Sequence, residues 1–151
     1  MTNSLRESRS RLSSGLLVAA RQWQRLADQA LEEFGLSGAC TTPLLMIGRC
    51  GGGIRQVALA QRLGMESPSL VRLLDRLAIM GLVRREADSS DRRANQLWLT
   101  DAGQALVGRI EARLDALRAQ VFGALSEEQI QVVLGLWEQL AQAHAQLNRT
   151  G

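Results

Sequence analysis

The side chains in this sequence that could do chemistry are arginines and small hydroxyls, not nucleophiles or bases. Ser67-Pro68-Ser69 stands just before an apolar-periodic run, and Arg72 and Arg76 follow four residues apart. Arg92 and Arg93 are adjacent, behind Asp91, inside the polar segment Asp88–Asn95. A guanidinium presents its donors in a planar fork that matches phosphate oxygens and the acceptor edge of guanine. A helix N-terminus adds backbone N–H groups that favour an anion. This is chemistry of recognition, not of bond making. The sequence holds one His and no Tyr, and Cys40 and Cys50 have no His-acid arrangement beside them. Gly51-Gly52-Gly53 lacks both a following Lys and the spacing of a phosphate loop. No catalytic set, no metal-ligand set and no cofactor is expected, and the protein is not expected to be an enzyme. His144, at helical spacing from Trp137 and Ala141 with no second ligand nearby, reads as packing at an interface.

Charge is unevenly distributed. The chain has 151 residues, 18 Lys plus Arg (every one Arg) against 15 Asp plus Glu, and a formal net charge of +3. Residues 1–48 carry +1, residues 49–99 carry +4 and residues 100–151 carry −2. A basic centre between near-neutral ends fits a nucleic-acid footprint; a solvated basic surface is the alternative. Two cysteines make no disulfide framework, so a reducing, cytoplasmic setting is expected. No run approaches the roughly 18–20 apolar residues of a membrane span, and the N-terminus lacks the apolar core of a signal peptide.

Hydrophobic periodicity supplies the elements that must position these residues. Leu12, Leu16, Ala19, Trp23, Leu26, Ala30 and Phe34 recur in steps of three or four. They predict a helix over about 5–33, after a frayed polar start and before a cap at Gly35. At roughly 43 Å such a helix is too long for one small domain to cover. A short helix is expected to open near Thr41 or Thr42 with Pro43 in its first turn, and to stop at the glycine run. Another spans about Arg55–Leu63. Ser67 reads as the N-cap and Pro68 as the first residue of a helix ending at Gly81, with Leu70, Leu73, Leu74 and Leu77 as its apolar stripe. Leu82–Ala87 and Gln96–Leu99 then read as a β-hairpin around a polar tip. Thr100 caps a long helix. Ser126, with Gln129 as capping-box partner, opens the last one.

The fold class this predicts is mainly α (α+β): a winged helix-turn-helix with long N- and C-terminal dimerisation helices. The expected divisions are 1–40 and 100–151 for dimerisation and 41–99 for the DNA-binding lobe. The runs GMESPSLVRLLDRLAIMGLV (Gly64–Val83) and DRRANQLWLTDAG (Asp91–Gly103) resemble the MarR family of bacterial transcriptional regulators, and within it the SlyA-like branch. Arg21-Gln22-Trp23 also looks SlyA-like. The resemblance implies an interlocked homodimer that binds double-stranded DNA at a pseudo-palindromic site, most often as a repressor. Ser67, Pro68, Ser69 and Arg72 match the recognition helix. Arg92 and Arg93 match the wing, with Asp91 orienting one of them. Family members often hold small aromatic or phenolic ligands between dimer helices and lobe. That implies an effector site in which Arg21 supplies countercharge and Trp23 an aromatic wall, with Thr41 and Leu45 as further candidates. The segment Leu36–Ile47 departs from the SlyA-like pattern, which has an aromatic and a histidine there. Core or interface packing is the other reading for Trp23.

Several assignments stay open at this level. Arg76 either pairs with Asp75 or contacts DNA. At most one of Arg84 and Arg85, which alternate along a strand, faces DNA. Arg55, Gln56, Gln61 and Arg62 either position the duplex backbone or are solvated. As a whole, the alternative function is a winged-helix protein-interaction module, or a silencing antagonist without ligand response.

Overall fold

The computed structural model describes residues 2–147. Helix α1 spans Thr2–Leu31 and passes through a short 3-10 turn, Glu32–Phe34, to a left-handed Gly35 (φ 66°). The polar start expected to fray is helical from Thr2. Polarity alone does not break a helix, and neither Pro nor Gly occurs before Gly15.

Helix α2 spans Gly38–Arg49, opening three to four residues earlier than expected. Ser37 is its N-cap, accepting from the Cys40 backbone N–H at 3.4 Å. Pro43 therefore sits inside α2, buried against the lobe. A two-residue strand, β1 (Ile54–Arg55), precedes α3 (Gln56–Leu63). Helix α4 is Ser67–Ile79, with Glu66 and not Ser67 at the N-cap position and no side-chain cap. Strands β2 (Val83–Ala87) and β3 (Asn95–Leu99) form the hairpin. The sheet has three strands, not two, in antiparallel order β1-β3-β2. Leu97 of β3 stands opposite both Ile54 and Arg85. Helix α5 (Asp101–Phe122) starts from a Thr100 cap, whose Oγ1 accepts from the Gly103 N–H at 3.0 Å.

The first compact unit, up to Leu117, has one core. Leu44 and Ile47 of α2, Leu59 of α3, Leu70, Leu74 and Leu77 of α4, Leu97 of β3 and Ile110 of α5 are all fully buried. The core thus extends beyond residue 99: Val107, Ile110 and Leu114 join it. Gly103 shows how closely α5 approaches the hairpin. A Cβ there would lie 2.0 Å from the Leu82 carbonyl oxygen, so any side chain would push the helix away.

The second unit, from Arg118, contains the last turn of α5 and helix α6 (Glu127–Leu147). Its capping box forms as the sequence predicts: Ser126 Oγ accepts from the Gln129 N–H at 3.2 Å, and Gln129 Oε1 from the Ser126 N–H at 2.9 Å. No residue of α6 is buried. No helix among the described residues is long and apolar enough to cross a membrane.

Candidate nucleic-acid interface

Helix α4 is anchored by its core face. Leu70, Leu74 and Leu77 point inward, so helical geometry places Ser69, Arg72 and Arg76 together on the opposite side, where all three are exposed. Ser67 and Pro68 are exposed at the start of the helix. Without a side-chain cap, the first-turn N–H groups are left to solvent or to an anion. Among the described residues Arg72 and Arg76 enter no ion pair. The local pair of Arg76 with Asp75, one of the two readings of Arg76, does not form. Asp75 is taken by Arg85 of β2 at 2.7 Å, which ties the hairpin to α4.

The hairpin is built on Trp98. Its ring lies against Gly52 and Gly53, where added Cβ atoms would come within 2.4 and 3.0 Å of ring carbons. Both glycines also have positive φ, so the run is needed for close approach as well as for turning. The Arg84 guanidinium lies over the ring at 5.6 Å and pairs with Glu86. Arg85 is the supporting member of that pair of arginines, and Arg84 is the exposed one.

The tip, residues 88–94, is folded by its own backbone. The Asp88 N–H donates to the Ala94 carbonyl at 2.9 Å, and the Ala94 N–H to the Asp91 carbonyl at 3.0 Å. Asp91 Oδ1 accepts from the Arg93 backbone N–H at 3.0 Å, so it shapes the turn and does not hold a guanidinium as expected. Arg92 and Arg93 are exposed and enter no ion pair among the described residues.

One cluster was not apparent from the sequence. The Asp88 side chain is only 4% exposed. Its Oδ1 accepts from the Ser90 hydroxyl at 2.7 Å and the Ser90 N–H at 2.9 Å. Its Oδ2 accepts from Arg55 Nε at 2.7 Å, and Arg55 Nη2 also reaches Ser90 Oγ at 3.1 Å. The Ser90 hydroxyl, then the Ser90 N–H and Arg55, hold the Asp88 carboxyl well below the ordinary carboxylate range, overcoming the opposing effect of burial. Only the Asp-x-Ser spacing, a common local turn, could have signalled it.

The fold that carries these residues occurs in known proteins. The MarR family sequence profile matches residues 34–94, from the end of the 3-10 turn after α1 through the wing tip. The solved structure of transcriptional regulator PA3341 is 32% identical, with 89% of this chain and 98% of that one covered at a TM-score of 0.82. This chain belongs to the MarR family. A MarR transcriptional regulator from Methanosarcina mazei Go1 shares the fold at 20% identity (TM-score 0.77; 90% of this chain and 97% of that one). S. aureus MepR, solved as a complex with DNA, is similar at 25% identity (TM-score 0.74; 87% and 97%). The MarR winged helix accounts for the order of elements from α2 to β3, and the structural matches extend over the flanking helices.

Of the four residues expected to line an effector site, two are buried and two lie on α1. Thr41 is buried, its Oγ1 donating to the Ser37 carbonyl at 3.1 Å, and Leu45 is buried in the lobe core. Arg21 is exposed and Trp23 half-buried on α1. A groove lies between the end of α1 and the start of α2, lined by Asp28, Gln29, Leu31, Glu32, Leu36 and Ser37, and includes none of the four. Of the other basic residues near α3, Arg55 is committed to Asp88, and Arg62 Nη1 donates to the Cys50 sulfur at 2.9 Å.

Proposed function

We propose that this protein is a sequence-specific DNA-binding transcriptional regulator, working in the cytoplasm as a homodimer on a pseudo-palindromic operator and repressing by occupying it. One observation carries the reading. Two sets of exposed arginines outside any ion pair among the described residues, Arg72 with Arg76 on α4 and Arg92 with Arg93 on the wing tip, project from elements fixed to one core. In this reading α4 enters the major groove, with Ser67, Pro68 and Ser69 at its leading end and Arg72 at base edges. A wing arginine enters the adjacent minor groove, where narrowing deepens the negative potential. MepR, a similar protein solved with DNA, supports the assignment. The runs Gly64–Val83 and Asp91–Gly103 favour the SlyA-like branch.

The dimer follows from uncovered apolar faces. Leu12 and Leu26 on α1 are 51% and 40% exposed, and Ile130, Leu134 and Trp137 on α6 recur at helical spacing and are 37–45% exposed. A second copy would bury them and set two lobes against one duplex, with residues 1–40 and 100–151 contributing to dimerisation and 41–99 to the lobe that meets DNA.

The test is a salt titration of affinity for duplex DNA. Each phosphate neutralised by an arginine releases counterions, so log affinity should fall with log salt at a slope of roughly −0.9 per contact. A winged helix used only for docking to another protein would show no affinity for duplex DNA that follows such a slope, and that result would reject the reading.

A further inference from the structure

We propose that Asp88 is a positioning residue: with Ser90 and Arg55 it clamps the wing tip to the sheet and so sets the direction in which Arg92 and Arg93 reach DNA. This rests on the reading of the wing as a DNA contact.

The argument starts from location. Asp88 is the first residue after β2, where the hairpin leaves the sheet for its tip. Arg55 belongs to β1, on the other edge of the sheet, and is paired there with Gln96 of β3. The Arg55–Asp88 contact at 2.7 Å therefore passes across the end of the central strand and joins the two edges. A two-stranded ribbon with a tip of this length is marginal in isolation. Clamping its root removes freedom that would otherwise be lost on binding. Burying a carboxylate is costly unless donors satisfy it. Here three groups do so, and two come from Ser90, inside the tip itself.

The inference separates cleanly from simple electrostatics. Asp88→Asn removes a negative charge next to a DNA-binding element, so a charge effect alone would tighten binding to any duplex. A clamp predicts the reverse, and only for the cognate duplex. The probe is a duplex enriched from a random-sequence pool by the wild-type protein, with a scrambled duplex of equal length for comparison. D88N should bind the enriched duplex about ten-fold more weakly, with affinity for the scrambled duplex unchanged or higher. The Ser90 N–H should lose protection from hydrogen exchange while the far-UV spectrum and melting of the core persist. S90A, which leaves charge unchanged, should lose about three-fold on the enriched duplex, and it decides the matter if D88N does not fold. Binding by folded D88N as tight as wild type, or no loss in S90A, overturns the clamp. R92A/R93A is the control. If that variant loses binding while D88N and S90A do not, the clamp alone fails. If the wild-type protein enriches no duplex, the DNA reading fails and the clamp's role goes with it.

Discussion

At the residue scale, the structure sorts seven arginines that look alike in sequence into structural and available ones. Arg55, Arg84 and Arg85 are engaged with Asp88, Trp98 plus Glu86, and Asp75. Arg72, Arg76, Arg92 and Arg93 stay outside ion pairs among the described residues. Arg72→Ala should reduce discrimination between enriched and scrambled duplexes, each lost base contact being worth about 1–3 kcal/mol. An equal loss on both duplexes would make it a phosphate contact. R92A/R93A should weaken binding and reduce the salt slope while leaving melting unchanged, which a calorimetric scan beside the titration checks. Asp88 adds a pH prediction. Its carboxyl titrates lower in the folded chain than in the unfolded one, so its contribution is complete above the unfolded value of about 3.9 and disappears as pH falls through the lower, folded value. An NMR titration from pH 7 downwards should find the Ser90 N–H signal unmoved at pH 4, where exposed carboxylates are already titrating. The free arginines and the Ser-Pro-Ser start were legible as residue types at a spacing. The Asp88 clamp was not, because its partners lie 33 residues apart and meet only through the sheet.

At the element scale, the wing and α4 are held by packing that leaves little slack. Leu74 is fully buried between α4 and the lobe core, so Leu74→Ala should cost about 2–5 kcal/mol in denaturant unfolding. Gly103→Ala should destabilise by about 1–3 kcal/mol, because its methyl group would meet the Leu82 carbonyl and α5 must shift. A mutant that unfolds at the wild-type midpoint would contradict the close approach. Helix caps written in local chemistry were readable: Thr100 and the Ser126–Gln129 box form as their spacing indicates. Boundaries set by tertiary contacts were not. Pro43 suggested a first turn, yet Ser37 caps α2 upstream and the ring is buried in the lobe. Strand β1 is two residues long, too short for any alternation to register, and exists through its pairing with β3.

At the scale of the whole molecule, the proposed reading assigns two partners from the balance of charge and apolar surface: DNA for the basic centre and a second copy for the long helices. Residues 49–99 hold the +4 excess, and within them Arg72 and Arg76 on α4 and Arg92 and Arg93 on the wing tip are exposed and enter no ion pair among the described residues. In α6 no residue is buried, although its apolar positions keep helical spacing throughout. Sedimentation equilibrium should give twice the chain mass. Replacing Leu134 and Trp137 together by Asp should yield monomers and weaken operator binding by more than ten-fold, since linked half-sites share one binding event. A wild-type monomer that binds a full site would contradict the dimer. The most direct test of the central claim is selection of duplexes from a random-sequence pool by the intact wild-type protein. The account predicts an enriched inverted repeat whose half-site centres lie about one turn apart, roughly 34 Å, matching two copies of α4 in successive major grooves. Failure to enrich any sequence, or enrichment of a single asymmetric site, would contradict it.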